Sequence, residues 1–228
     1  MYSKELLNSF QTEACETAFY PGRLSKHAAL SGKVIEFLIP QWKEFNDHSG
    51  GQGEEIKEML ENGSPFMGLF YVSLGLAGEV GELQEKIVLD ESIPDVILEM
   101  GDVFWYVSQM CMELGVPMGY LLQVKIEYGK MRGLIRDYEN AESNLLLSLS
   151  LWSGRITDIV KKLLRDSKGH LPSEKKERVL ENLAKLIFSL SGLCGMLGID
   201  ACDVMNKNTE KLRSRMNRGK ISGEGDNR

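Results

Sequence analysis

Two consecutive apolar stretches of this chain each carry a pair of acids three residues apart, Glu79 with Glu82 and Glu99 with Asp102. Residues at that spacing share one face of an α-helix, so each pair points one way if both stretches are helical. Packed antiparallel, the two helices bring four carboxylates face to face. Carboxylates that close repel one another unless a cation lies among them, and an oxygen-only donor set suits Mg2+ or Mn2+. Few folds meet the requirement, which is two neighbouring helices held in register.

The apolar spacing supports both helices. Leu76, Val80, Leu83 and Ile87 form one stripe between Phe66 and Leu89. Gly75, Gly78 and Gly81 interrupt it, each costing about 1 kcal/mol relative to alanine in a helix interior, and they suggest a face where another backbone comes close. The next helix starts at Pro94, runs through Val96, Met100, Val103, Val107 and Met110, and stops near Gly115. Other helical stretches cover about 3–19, ended by Tyr20-Pro21-Gly22, and 25–39. A further one runs from Pro117 to about Glu139, and after a weak linker from Asn140 to Ser143 another continues to Asp166. Ser173 can cap a helix that ends at Gly198, and Asp200 can cap the last, to about Asn217. No sustained alternation calls for a strand. The expected class is all-α, an antiparallel helical bundle.

A length of 228 residues allows a substantial core. The net charge of -6 and pI near 5.3 argue against a nucleic-acid polymer as partner. Cys15, Cys111, Cys194 and Cys202 show no paired spacing and read as reduced thiols. The charged N-terminus is no signal-peptide core, and no run approaches a membrane span. A soluble, cytoplasmic protein is expected. His27, His48 and His170 lack the glutamate three residues earlier that a di-iron bundle needs, and no phosphate-binding glycine loop is present.

The two halves resemble each other, as two tandem helical-hairpin repeats would. Residues 76–83 lie on 152–159, and 112–116 on 195–199. Glu79 then matches Arg155, Glu82 matches Asp158, Glu99 matches Asn182 and Asp102 matches Lys185. The second copy has lost three of four acids, leaving one competent metal site. The division expected is 1–142, holding the metal site and an insertion at about 26–63, and 143–228, a degenerate repeat with the last helix and tail.

The run Gly75-Leu76-Ala77-Gly78-Glu79-Val80-Gly81-Glu82-Leu83, followed by Glu99-Met100-Gly101-Asp102, resembles the E-x-x-E … E-x-x-D signature of the MazG-like all-α nucleoside triphosphate pyrophosphohydrolases. Residues 10–21, 208–219 and 225–228 are similar to the ends of one bacterial and phage branch. The resemblance implies a helical bundle that uses Mg2+ to hydrolyse a (deoxy)nucleoside triphosphate to monophosphate and pyrophosphate. It also implies a pseudo-dimer within one chain, open to further homodimerisation. The family's N-x-x-K element survives only as Asn208 and Lys211, its counterpart at 125–128 being lost. The insertion at 26–63 departs from the pattern and leaves base preference open.

On this reading Glu79, Glu82, Glu99 and Asp102 are metal ligands, with Glu82 also placed to orient or deprotonate the attacking water. Lys86, Asn208, Lys211 and Arg215 are candidate phosphate contacts, against an ordinary salt bridge for Lys86 and a basic surface face for the others. Tyr106 is placed to pack on sugar or base, while Trp105 fills core, and Arg228 either closes over substrate or belongs to a free tail. A catalytically silent nucleotide-binding or regulatory protein and a purely structural helical assembly are the rival classes.

Overall fold

A computed structural model of the chain describes residues 2–18, 20, 65–126, 140–167 and 170–220. The expected helix at 25–39, the insertion at 26–63, His27, His48 and Arg228 lie outside the described residues. What is described is all-α, with no strand among those residues.

Helix α1 (Lys4–Ala14) opens on Ser3, whose Oγ accepts from the Leu6 amide at 3.0 Å. The α-helix ends at Ala14 and tightens into a 3₁₀ turn, Cys15–Thr17, so it is shorter than the apolar pattern suggested. Helix α2 (Pro65–Val88) and helix α3 (Ile93–Glu113) form the expected hairpin. Leu76, Val80 and Leu83 of the α2 stripe are buried and Ile87 packs against the core edge. Asp90 makes the turn between the two helices with φ +55. The Asp90 amide donates to Ile87 and the Glu91 amide to Lys86, at 3.1 and 2.9 Å, which closes the end of α2 through a left-handed residue.

The helix expected from Pro117 to Glu139 is replaced by a 3₁₀ helix, Met118–Gln123, followed by extended backbone at Val124. Its first amides are taken by α1: Gln11 Oε1 accepts from Met118 N and Asn8 Oδ1 from Gly119 N, both at 2.7 Å. Residues 127–139 lie outside the described set. Helix α4 (Ala141–Ser167) begins inside the stretch read as a linker. Helix α5 (Ser173–Leu197) starts after Pro172, which occupies the cap position with extended backbone; Ser173 is already helical and does not cap. Asp200 does cap helix α6 (Ala201–Asn217), accepting from Cys202 N at 2.9 Å.

The two hairpins, α2–α3 and α4–α5, meet along α2 and α4. Gln84 bonds the Leu146 carbonyl and Ser150 at 2.6 and 2.7 Å, while Thr157 reaches the Ser73 carbonyl at 3.2 Å. Chain numbers rise on one helix as they fall on the other, so this seam is antiparallel. Both hairpins end alike. Gly115 and Gly198 adopt φ +65 and +67, conformations favourable to glycine, and the next amides, Val116 and Ile199, bond back to Cys111 and Cys194 at 3.0 and 2.9 Å. Helix α5 is long and apolar enough to cross a membrane, contrary to the expectation that no run would be, but 61% of that window is buried in the bundle. All four cysteines are free thiols, Cys111 and Cys194 in the interior.

Helix α1 is fastened across α3 and the 3₁₀ helix by one side chain. Gln11, buried, donates to the Val116 and Ser108 carbonyls at 3.1 and 3.4 Å besides accepting from Met118. Leucine at this position keeps the volume but strands these groups, and each buried unsatisfied group costs about 1–3 kcal/mol. Gln11→Leu is therefore expected to lower the unfolding free energy by about 2–5 kcal/mol in urea, whereas exposed Thr12→Ala, which gives up only a bond to its own helix, should change little.

Candidate metal centre

The hairpin brings three of the four predicted acids together. Glu79 of α2 and Glu99 and Asp102 of α3 each offer a carboxylate oxygen within 4.8 Å of the others. Glu99 is 2% exposed, and Glu79 and Asp102 are half-buried. Glu82 is not brought into the group: it is exposed, on the solvent side of α2. Its charge is still felt at Glu79. That carboxyl is pushed up to about 8, first by loss of hydration and then by the negative charges of Asp102, Glu82 and Glu99, against a lowering contribution from Lys211.

Helix α6 completes the centre. Lys211 forms an ion pair with Asp102 Oδ2, its side chain 10% exposed, and Asn208 Nδ2 donates to Asp102 Oδ1 at 2.7 Å. Asn208 is itself buried, and its Oδ1 has no hydrogen-bond partner among the described residues. Such close approach of α6 to α3 needs Gly101, where a Cβ would lie 2.8 Å from the Asn208 Cβ. Asn208 and Lys211, predicted as phosphate contacts, thus hold a predicted metal ligand. Arg215, one turn further on, is buried in α6 rather than presented to solvent. Lys86 is half-buried two turns beyond Glu79, and no ion pair joins it to Glu82 among the described residues.

Aromatic rings wall one side. Tyr106, one turn past Asp102, shares a hydrogen bond with Tyr71, and burial followed by the charges of Tyr71 and Glu79 holds its phenol well above its ordinary range. Tyr71 stacks on Tyr20 at 5.2 Å between centroids and lies 6.5 Å from Tyr106. Trp105 meets Tyr106 edge-on at 4.9 Å and donates its indole N–H to Thr17 at 3.1 Å. Gly75 makes room for this wall, since a Cβ there would run into the Tyr106 ring. Gly78 and Gly81 do not repeat the role: nothing among the described residues lies within 4 Å of where their Cβ atoms would be. The expectation that another backbone comes close at these three glycines is not met: the neighbour of Gly75 is the Tyr106 side chain, and none of the described residues lies near the other two. Tyr71 was not singled out from the sequence, although its place one turn before Gly75 on α2 was a usable signal.

Oxygen donors alone, gathered at partial burial beside an orphaned amide oxygen, fit a hard divalent cation such as Mg2+ or Mn2+. Among known proteins, the chain is similar to the Gene 37 protein of Mycobacterium phage L5, 36% identical over 82 residues that cover 30% of this chain and 72% of that protein. No family model matches the chain. No solved structure matches it either.

The raised Glu79 sets the direction of the pH dependence. Between the ordinary carboxylate value of 4.5 and about 8 the folded protein keeps a proton that the unfolded chain has released, so stability falls as pH rises through that window. Thermal melts in EDTA should show Tm decreasing from about pH 5 to about pH 8, and Glu79→Gln should flatten that decline. A Tm independent of pH in the unsubstituted protein would contradict this electrostatic picture.

Proposed function

Because the chain belongs to the family of the Gene 37 protein of Mycobacterium phage L5, whose name carries no chemistry, we propose its function from the acidic centre itself: a Mg2+-dependent pyrophosphohydrolase acting on a (deoxy)nucleoside triphosphate. The observation that carries this reading is the convergence of Glu79, Glu99 and Asp102 within 4.8 Å on two adjacent helices. The motif resemblance to MazG-like proteins supports it, and so does the aromatic wall beside the acids.

In this reading the three carboxylates hold the cation, which when bound neutralises charge on the phosphate chain and makes an attacking water more acidic. Asn208 fixes the orientation of Asp102, the kind of supporting contact that tunes a ligand. Lys211 answers the charge of Asp102 in the metal-free protein and stands near enough to pass to a phosphate oxygen when a cation takes that role. Glu82, exposed and turned away from the group, is left without the role of base that its spacing suggested. Tyr71 and Tyr106 present ring surface for the nucleoside.

One observation favours the rival reading, a catalytically silent nucleotide-binding protein: Lys211 already pairs with Asp102, as in a metal site that has been replaced by an internal ion pair. Turnover separates the two. Purified full-length protein with Mg2+ should release pyrophosphate and monophosphate from at least one deoxynucleoside triphosphate, and EDTA should abolish release. Glu99→Gln and Asp102→Asn should each reduce kcat/KM by about a hundredfold or more, the upper end of what even supporting residues of metal sites cost. Lys211→Met should leave the metal-free protein less stable and enlarge the rise in Tm on adding Mg2+. Nucleotide binding without release of pyrophosphate would select the silent reading, and undiminished release after Glu99→Gln would defeat the metal assignment.

A further inference from the structure

The second hairpin carries a cluster that the hydrolytic reading leaves unused. On α4, half-buried Trp152 has the Lys185 ammonium of α5 at 4.9 Å from its ring centroid and the Arg155 guanidinium at 5.5 Å. In the alignment of the two halves, Arg155 stands where the first hairpin has Glu79 and Lys185 where it has Asp102. The helix pairing agrees with that match. The α4–α5 hairpin brings 155 and 185 to one indole, as α2–α3 brings 79 and 102 within 4.8 Å. Asn182, the counterpart of Glu99, is buried and donates to the Arg178 carbonyl at 2.7 Å. Two acids have become cations and the third a neutral amide, so the sign of the site is inverted.

The surrounding charges leave that inversion partly uncompensated. Lys185 pairs with half-exposed Glu181 at 2.5 Å, and Asp158 is engaged by Lys161 and Lys162 at 2.8 and 2.6 Å. Contact with an indole face stabilises a cation without neutralising it. The second observation is independent of charge. The Trp152 Nε1 donor is buried and has no acceptor among the described residues, and a native buried donor in that state calls for a partner.

We propose that Trp152, Arg155 and Lys185 form a second, metal-independent site for a phosphate-bearing anion, either free phosphate or pyrophosphate, or the phosphate chain of a nucleotide. The guanidinium offers a planar fork that matches phosphate oxygens and the ammonium a point charge. The indole face holds both cations beside the ligand. This site does not depend on hydrolysis at the first hairpin.

Isothermal titration of the full-length protein in EDTA, with phosphate, pyrophosphate and a deoxynucleoside triphosphate as separate probes, tests it with no metal to bridge anions to the acidic centre. Saturable binding of at least one probe is expected. Arg155→Gln and Lys185→Gln should each weaken it by about tenfold or more, since hydrogen bonds to charged groups reach that size. Trp152→Phe should weaken it several-fold with unchanged helical circular dichroism, and Glu79→Gln should leave it as it was. Equal affinity for pyrophosphate and the triphosphate assigns recognition to the phosphates alone; tighter triphosphate binding extends it to the nucleoside. Arg155 is exposed, so its substitution tests the site without threatening the fold. No binding of any probe, unchanged affinity in Arg155→Gln, or a loss produced by Glu79→Gln instead, would overturn the proposal.

Discussion

The rest of the molecule is arranged around the electrostatic tension of three carboxylates held within 4.8 Å at the junction of α2 and α3. At an effective dielectric near 20, two full charges at that distance repel by about 3–4 kcal/mol, a large fraction of the stability of an ordinary domain. A fold that tolerated such repulsion with no answer would open the hairpin. The metal-free protein answers it twice. Glu79 gives up its charge by keeping a proton to about pH 8, and Lys211 sets an ammonium against Asp102. Both are the responses expected of clustered carboxylates with no cation among them.

Delivering Lys211 to that place is the task of the second half of the chain. Helix α6 must lie close along α3, which Gly101 permits by carrying no side chain toward Asn208. The approach is set by the left-handed Gly198 and the cap at Asp200, which turn the chain from α5 into α6. Arg213 adds exposed ion pairs with Glu13 and Glu16 at 3.4 and 3.1 Å. Pairs of that kind contribute little, so the registration of α6 rests on buried Val204 and Met205 and on the Asn208 contact. The centre is thus built from residues more than a hundred positions apart, and removal of the last helix would cost it both the ammonium and the amide that orients Asp102.

Much of this was legible in the residues, and the failures have identifiable causes. The α2–α3 hairpin, its stripe, its end at Gly115 and the cap at Asp200 follow local rules that tertiary contacts do not contest. The segment after Pro117 broke the rule because Gln11 and Asn8, distant in sequence, take its first amides. Helix α5 began one residue early because Pro172 fits the cap position with its fixed backbone angle. Glu82 shows the limit of spacing arguments. Side chains three apart on a helix share a face but differ by about 60° around the axis. When the partner helix lies on one flank of the stripe, one acid turns inward and the next outward. Which flank α3 would occupy is a property of packing, and no local pattern carries it. The same rotation explains why Gly75 meets Tyr106 while Gly78 and Gly81 face open space.

The inequality of the two hairpins has its own logic. They share a glycine-terminated second helix with the same return bond, and they bury comparable apolar stripes. They differ in sign where the first concentrates carboxylates. A second hairpin with acids at the matching places would add another repulsive cluster, with one Asn–Lys element on α6 to relieve both. Arg155, Asn182 and Lys185 carry no such burden, and Trp152 stabilises both cations through its ring. The antiparallel α2–α4 seam is separate from both clusters, because Gln84, Ser150 and Thr157 lie on the flank away from either. A hairpin can therefore exchange its chemistry on one flank while the other keeps the bundle together, and the asymmetry of charge follows from the symmetry of packing.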